Sequence, residues 1–132
     1  IIDLDPTSPL RSNKDIKKSL KIFRNKGFKN LITGSPSRRN PYFNMVEIVN
    51  GSAKLSKRSK ITPIRRQRAP KVYDMNASIY IWNRKTLVDY DTIFTGNTGF
   101  YEMPEERSYD IDSKLDWKIV EMLMEVKLKK NE

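Results

Sequence analysis

Two carboxylates one residue apart, Asp110 and Asp112, stand in the run MPEERSYDIDSKLDWKIVE from Met103 to Glu121. In an extended segment alternate side chains share a face, so this spacing turns both carboxylates toward one spot and anchors Ile111 in the core. Like charges so close are stable only with a cation or a proton between them. A small number of hard oxygen ligands suits Mg²⁺ held jointly with phosphate oxygens. The same residues also read as helix chemistry, with Asp112 as N-cap, Asp116 as a first-turn acid favoured by the helix dipole, and Asp110 as a loop acid. The residues alone leave both readings open.

Composition narrows what chemistry is available. The 132 residues suffice for one domain around a single core. Lys and Arg number 26 against 16 Asp and Glu, a formal charge of +10 at pH 7 that attracts anions: nucleic acid, a membrane surface, a nucleotide or an acidic sugar. Cys and His are both absent. That excludes a disulfide framework, a thiol nucleophile, a Cys zinc site and an imidazole base, and leaves carboxylates, amides, hydroxyls, Arg and Lys. No apolar run approaches the ~18 residues of a membrane span, and no signal peptide is visible, so the expectation is a soluble, cytoplasmic protein. The chain opens on IIDLDPTSPL without a Met, which suggests the interior of a longer protein.

The elements that must position these groups read as follows. IIDL is an apolar segment of the kind that fills a central strand, ended at Asp5 by the two prolines of DPTSPLR. Ser12 with Asp15 forms a capping box, and Ile16, Leu20 and Phe23 give one apolar face, predicting a helix from Ser12 to Lys26 that stops at Gly27. KNLITGS reads as a buried strand, and strand, loop, helix, strand in succession predicts an α/β crossover with a parallel sheet. Asn50-Gly51 predicts a hairpin over Val46 to Lys57, with the basic clusters KRSK and RRQR flanking Ile61 to Ile64. A strand at Ala77 to Trp82, a short helix from Arg84 to Tyr90, a short strand at YEM and a final helix from Ser113 to Lys129 complete the chain. Leu115, Ile119, Val120, Leu123 and Val126 form the expected buried stripe of that helix.

Several separated motifs carry a resemblance: PTSPLR at Pro6 to Arg11, NPYFNMVE at Asn40 to Glu47, RRQ at Arg65 to Gln67, YDMNASIYIWNR at Tyr73 to Arg84, and the long run from Met103. In this order they resemble the acylneuraminate cytidylyltransferases, also called CMP-sialic acid synthetases. The resemblance implies transfer of CMP from CTP to a nine-carbon 2-keto sugar acid, with release of pyrophosphate, in the biosynthesis of cell-surface glycans. It implies a Rossmann-like α/β nucleotidyltransferase sheet, incomplete at its N-terminal side, with an added β-hairpin for homodimerisation. In this reading residues 1–132 are the C-terminal part of one cytidylyltransferase domain, and 42–68 are the hairpin insertion. By the same resemblance Asp110 and Asp112 fall on the family's DID and would hold the catalytic Mg²⁺, the only cofactor implied. Asp5, Ser8 and Arg11 belong to the loop beside the sugar; Arg66 and Gln67 match the sugar-contacting RQ, where a guanidinium can pair bidentately with a carboxylate; Asn76 and Tyr80 match the strand lining the same cavity. Asp5 stands where many sialate enzymes carry Gln, which points to a relative of N-acetylneuraminate such as legionaminate. The family's Gly/Arg/Lys loop that wraps CTP has no match here, so the 132 residues alone are expected to be inactive and incompletely packed.

Other functions compete with this one. The basic clusters could track a nucleic-acid backbone, but the aromatics lie in apolar strand patterns and not among those clusters, so stacking on bases is not expected. Arg65 and Arg68 read as solvated basic surface. A structural half that only dimerises is a further alternative, as is a cytidylyltransferase for 3-deoxy-manno-octulosonate; MPEERS and NPYFN favour the nine-carbon branch. Neither nucleic acid nor membrane is an expected partner.

Overall fold

The computed structural model describes residues 1–58 and 66–129. The chain forms two compact units, Ile1–Ser35 with Met75–Glu132, and Pro36–Asp74.

In the first unit, β1 (Ile2–Leu4), β2 (Asn30–Pro36), β6 (Ile79–Trp82) and β7 (Thr98–Glu102) make a mixed sheet; β5 (Tyr73–Met75), the fifth strand of that sheet, falls at the boundary between the units, and β3 and β4 belong to the second unit. β6 runs antiparallel between β1 and β2, with Leu4 opposite Ile79 and Leu31 opposite Ile81. β7 pairs parallel with β2, Asn30 opposite Thr98 through Gly34 opposite Glu102. The expected parallel sheet is therefore corrected to a mixed one: β1 and β2 run the same way and β7 pairs parallel with β2, but β6 lies antiparallel between β1 and β2. β1 is also corrected from a central strand to an edge strand: among the described residues β6 is its one strand partner, and Ile2 and Leu4 stay 40% and 38% exposed.

β2 is buried from Asn30 to Ser35, which requires its polar side chains to be satisfied inside. Asn30 Nδ2 donates to the Ile93 carbonyl at 2.6 Å, and its Oδ1 accepts from Thr95 and Thr98, each at 2.9 Å. Leu31, Ile79, Ile81 and Met103 form the core, joined by Ile16, Leu20 and Phe23 from α1 (Asn13–Lys26). Full burial of each such side chain contributes about 1.5–3 kcal/mol. The capping box of α1 forms as expected, and Gly27 ends it at φ 60° in the left-handed region. α2 (Arg84–Asp89) is capped by the Asn83 side chain on Lys85 N–H.

α3 (Lys114–Lys129) departs from expectation at two points. Its cap is Ser113, whose Oγ accepts from Asp116 N–H at 3.2 Å and donates to Asp116 Oδ2 at 2.6 Å, so Asp112 is not the N-cap. Of the expected buried stripe only Val120 is buried, with Ile119 and Leu123 half-buried; Leu115, at 67% exposure, and Val126 face solvent. The strand expected at YEM begins earlier, at Thr98, because Gly99 lets β7 approach the Phe28 ring: a Cβ there would sit 2.7 Å from Phe28 Cγ.

In the second unit, β3 (Val46–Val49) and β4 (Ser52–Leu55) form the expected hairpin, with Val46 opposite Leu55. Asn50 and Gly51, at φ 53° and 76°, supply the two left-handed turn residues that a two-residue hairpin needs. Ile61 to Ile64, Arg65 and the end of KRSK lie outside the described residues.

Candidate active site

The loop after β1 is organised by Asp5, because an Asp followed by Pro can accept from the N–H two residues on. Thr7 N–H donates to Asp5 Oδ1 at 2.9 Å and Thr7 Oγ1 lies 2.8 Å from the same oxygen. These bonds, from backbone first and hydroxyl second, hold the Asp5 carboxyl below its ordinary pKa. Thr7 Oγ1 is also 2.6 Å from Asp110 Oδ1, across a sequence separation of 103 residues. The backbone repeats the link, since Ile111 N–H donates to the Thr7 carbonyl at 3.0 Å and also reaches Asp110 Oδ1 at 3.2 Å.

Asp110 is thus half-buried beside Asp5, while Asp112 is exposed at the entrance to α3. The segment carrying both is irregular and not a strand. Among the described residues no group of three or more Asp, Glu, His or Cys could hold a metal ion. A pair of carboxylates nevertheless fits Mg²⁺, which commonly takes only one or two protein carboxylates and completes its octahedron with water and substrate phosphates.

Tyr80, opposite Asp3 on β1, lies within the field of these acids. Burial first, then the negative charges of Asp5, Asp110 and Asp3, push its hydroxyl above the ordinary pKa, so it stays a donor. Its ring stacks on Trp82 at 6.5 Å between centroids.

Other expected site residues are engaged within the fold. Arg11 Nη1 donates to the carbonyls of Asp5 and Ser8, each at 2.6 Å, and lies 3.4 Å from that of Ser78. Ser8 is fully buried, and its hydroxyl has no partner among the described residues. Asn76 sits not on β6 but in the kink between β5 and β6, where Ala77 takes φ 47°. Its Oδ1 accepts from Thr33 Oγ1 at 2.7 Å and Ser78 N–H at 3.2 Å, and its Nδ2 donates to Ser108 Oγ at 3.0 Å. Arg66 and Gln67 begin a 3-10 turn over Arg66–Arg68 in the second unit, with Gln67 exposed. The first unit therefore brings together Asp5, Asp110 and Tyr80, with Arg11 and Ser8 behind the loop and Asp112 at its rim.

Two residues that sequence reasoning passed over complete the frame. Thr7 was signalled by the Asp-Pro-Thr order, whose turn geometry puts its hydroxyl beside Asp5. Arg107 was not: it forks onto Asp15, with Nε 2.8 Å from Oδ2 and Nη2 3.0 Å from Oδ1, across 92 residues. Burial opposes ionisation of Asp15, but the bonds from Arg107 and Ser12 outweigh it and hold the carboxyl well below the usual range.

No family model matches the chain. Comparison with curated proteins shows what it is similar to: over the part that it covers, the chain resembles acylneuraminate and legionaminic acid cytidylyltransferases. It is 53% identical over 127 residues to a CMP-N,N'-diacetyllegionaminic acid synthase of Campylobacter jejuni, covering 96% of this chain and 53% of that protein. With Campylobacter coli post-translational flagellin modification protein B the identity is 49% over the same shares. An N-acylneuraminate cytidylyltransferase of Streptococcus agalactiae is 28% identical over 86% of this chain and 27% of its own length. The chain thus spans about half the length of the first two relatives. Among the described residues no helix is long and apolar enough to cross a membrane.

Proposed function

We propose that the protein activates a nine-carbon 2-keto sugar acid of the diacetyllegionaminate type with CTP, giving the CMP-sugar and pyrophosphate. The observation that carries this reading is the 53% identity to a CMP-N,N'-diacetyllegionaminic acid synthase over 96% of the chain. In it Asp110 and Asp112 hold Mg²⁺, which when bound supplies neutralisation of phosphate charge and a template for in-line attack. Asp5 is the loop acid that reads the sugar, and Tyr80 presents a protonated hydroxyl to the same space. Arg11 and Ser8 shape the loop from behind, and Asn76 fixes the kink below it. For Arg66 and Gln67 the resemblance implies contact with the sugar carboxylate.

The test is pyrophosphate release from CTP by the polypeptide made from its own start codon, with Mg²⁺ or EDTA, against N-acetylneuraminate, legionaminate, pseudaminate and octulosonate. Release that needs metal and legionaminate, and that drops at least ~100-fold in Asp110→Asn, which is about 2.7 kcal/mol of transition-state stabilisation, supports the reading. Release with no acid in the panel rejects it. Residues 1–132 alone are expected to give no turnover in the same assay.

A second role is proposed for the hairpin. Val46 and Ile48 share one face of β3 and are both exposed, which suits a contact with a second copy. Val46→Asp with Ile48→Asp is expected to convert a dimer to a monomer in sedimentation; an unchanged mass would reject this contact.

A further inference from the structure

We propose that Thr7 is a positioning residue whose hydroxyl ties the Asp110 carboxylate to that of Asp5, so that the two acids are oriented as one unit. The proposal rests on the reading of Asp110 as a metal-holding acid. Thr7 Oγ1 lies 2.6 Å from Asp110 Oδ1 and 2.8 Å from Asp5 Oδ1. A hydroxyl has one proton to donate, so it satisfies one of these oxygens at a time while holding the other at contact distance. The link between the acids therefore depends on a single atom.

The rest of Thr7 keeps that atom in place. Its N–H is bound to Asp5 Oδ1 at 2.9 Å, and its carbonyl accepts from Ile111 N–H at 3.0 Å. One residue thus contacts the acid of the loop through its nitrogen and hydroxyl, and the Asp110 segment through its carbonyl and hydroxyl. Thr7 is exposed, so core packing does not account for the arrangement. Partners that orient a metal-holding carboxylate in this way commonly change metal affinity by about 10–100-fold when removed.

The decisive comparison is Thr7→Val, which keeps the shape and removes the hydroxyl, against Thr7→Ser, which keeps the hydroxyl. Both are made in the polypeptide from its own start codon, beside Asp110→Asn. Mn²⁺ affinity is read by electron paramagnetic resonance, pyrophosphate release is followed in parallel, and Tm is recorded for each. Thr7→Val is expected to weaken Mn²⁺ binding about 10-fold or more and to lower kcat, with Thr7→Ser staying within about threefold of the wild type. If Thr7→Val binds Mn²⁺ as the wild type does while Asp110→Asn does not bind it, the positioning role is overturned and the metal reading survives. If Asp110→Asn keeps full Mn²⁺ affinity, the metal reading fails and takes this proposal with it. Equal loss in Thr7→Val and Thr7→Ser together with a lowered Tm assigns Thr7 a structural role only, and overturns the proposal.

Discussion

Asp15, fully buried, and Asp110, half-buried, are both acids of the first unit, and the chain treats them in opposite ways. Asp15 accepts five hydrogen bonds, two from Ser12, one from Tyr101 and two from the Arg107 fork. Its counter-cation is built into the fold. Asp110 has the Thr7 hydroxyl and the Ile111 N–H, and its nearest charged neighbour through Thr7 is another acid. A carboxylate that folding has fully partnered stabilises the fold, whereas one that shares a single hydroxyl with a second carboxylate has capacity left for a cation from outside.

Parallel substitutions sharpen this contrast. The largest stability loss is expected for Asp15→Ala, about 2–4 kcal/mol by urea denaturation, on the low side of a broken buried pair because Arg107 keeps some solvent access. Next comes Arg107→Lys, which retains charge but loses the fork, at about 1–2 kcal/mol. Ser12→Ala, which removes half of the capping box, should cost about 1 kcal/mol. The smallest effect is Asp110→Asn, expected within about 0.5 kcal/mol of the wild type in the same experiment while turnover is lost. A large destabilisation there would erase the distinction between the two acids.

The pH dependence follows from the same pair. The Asp15 carboxyl is depressed in the folded chain relative to an unfolded value near ~3.9. As pH falls the unfolded chain therefore takes up the proton first. The contribution of Asp15 is complete above that unfolded value and is lost as pH descends toward the folded one. The stability gap between wild type and Asp15→Ala should be full at pH 7 and narrow steadily below about pH 4; a gap independent of pH would mean that Asp15 acts through packing.

What could be read from the sequence was local. Ser12, Asp15 and Gly27 fix α1 within one turn at each end, and Asn50-Gly51 fixes a hairpin by its own backbone preferences. The spacing of Asp110 and Asp112 marked the acids but not their surroundings, since the partner of Asp110 lies 103 residues away. Strand order failed for the same reason: β1 is apolar enough for a sheet centre, yet its place depends on β6, far along the chain. On α3, Asp112 and Ser113 are both good caps, and the hydroxyl at Ser113 took the role because Asp116 stands three residues on to complete the exchange. The apolar positions of α3 run more than halfway round the helix, so periodicity alone could not select the face that Val120 and Ile119 turn inward.

The two tryptophans give this molecule two separate optical reporters. Trp82 is 9% exposed at the end of β6 and Trp117 is 59% exposed in the first turn of α3. Trp82 should emit toward the blue in the folded chain and shift red when the sheet unfolds, whereas Trp117 should emit toward the red from the start. Denaturation will therefore be recorded almost entirely by Trp82, and any polypeptide or ligand that settles over α3 will announce itself as a blue shift from Trp117 with Trp82 unmoved.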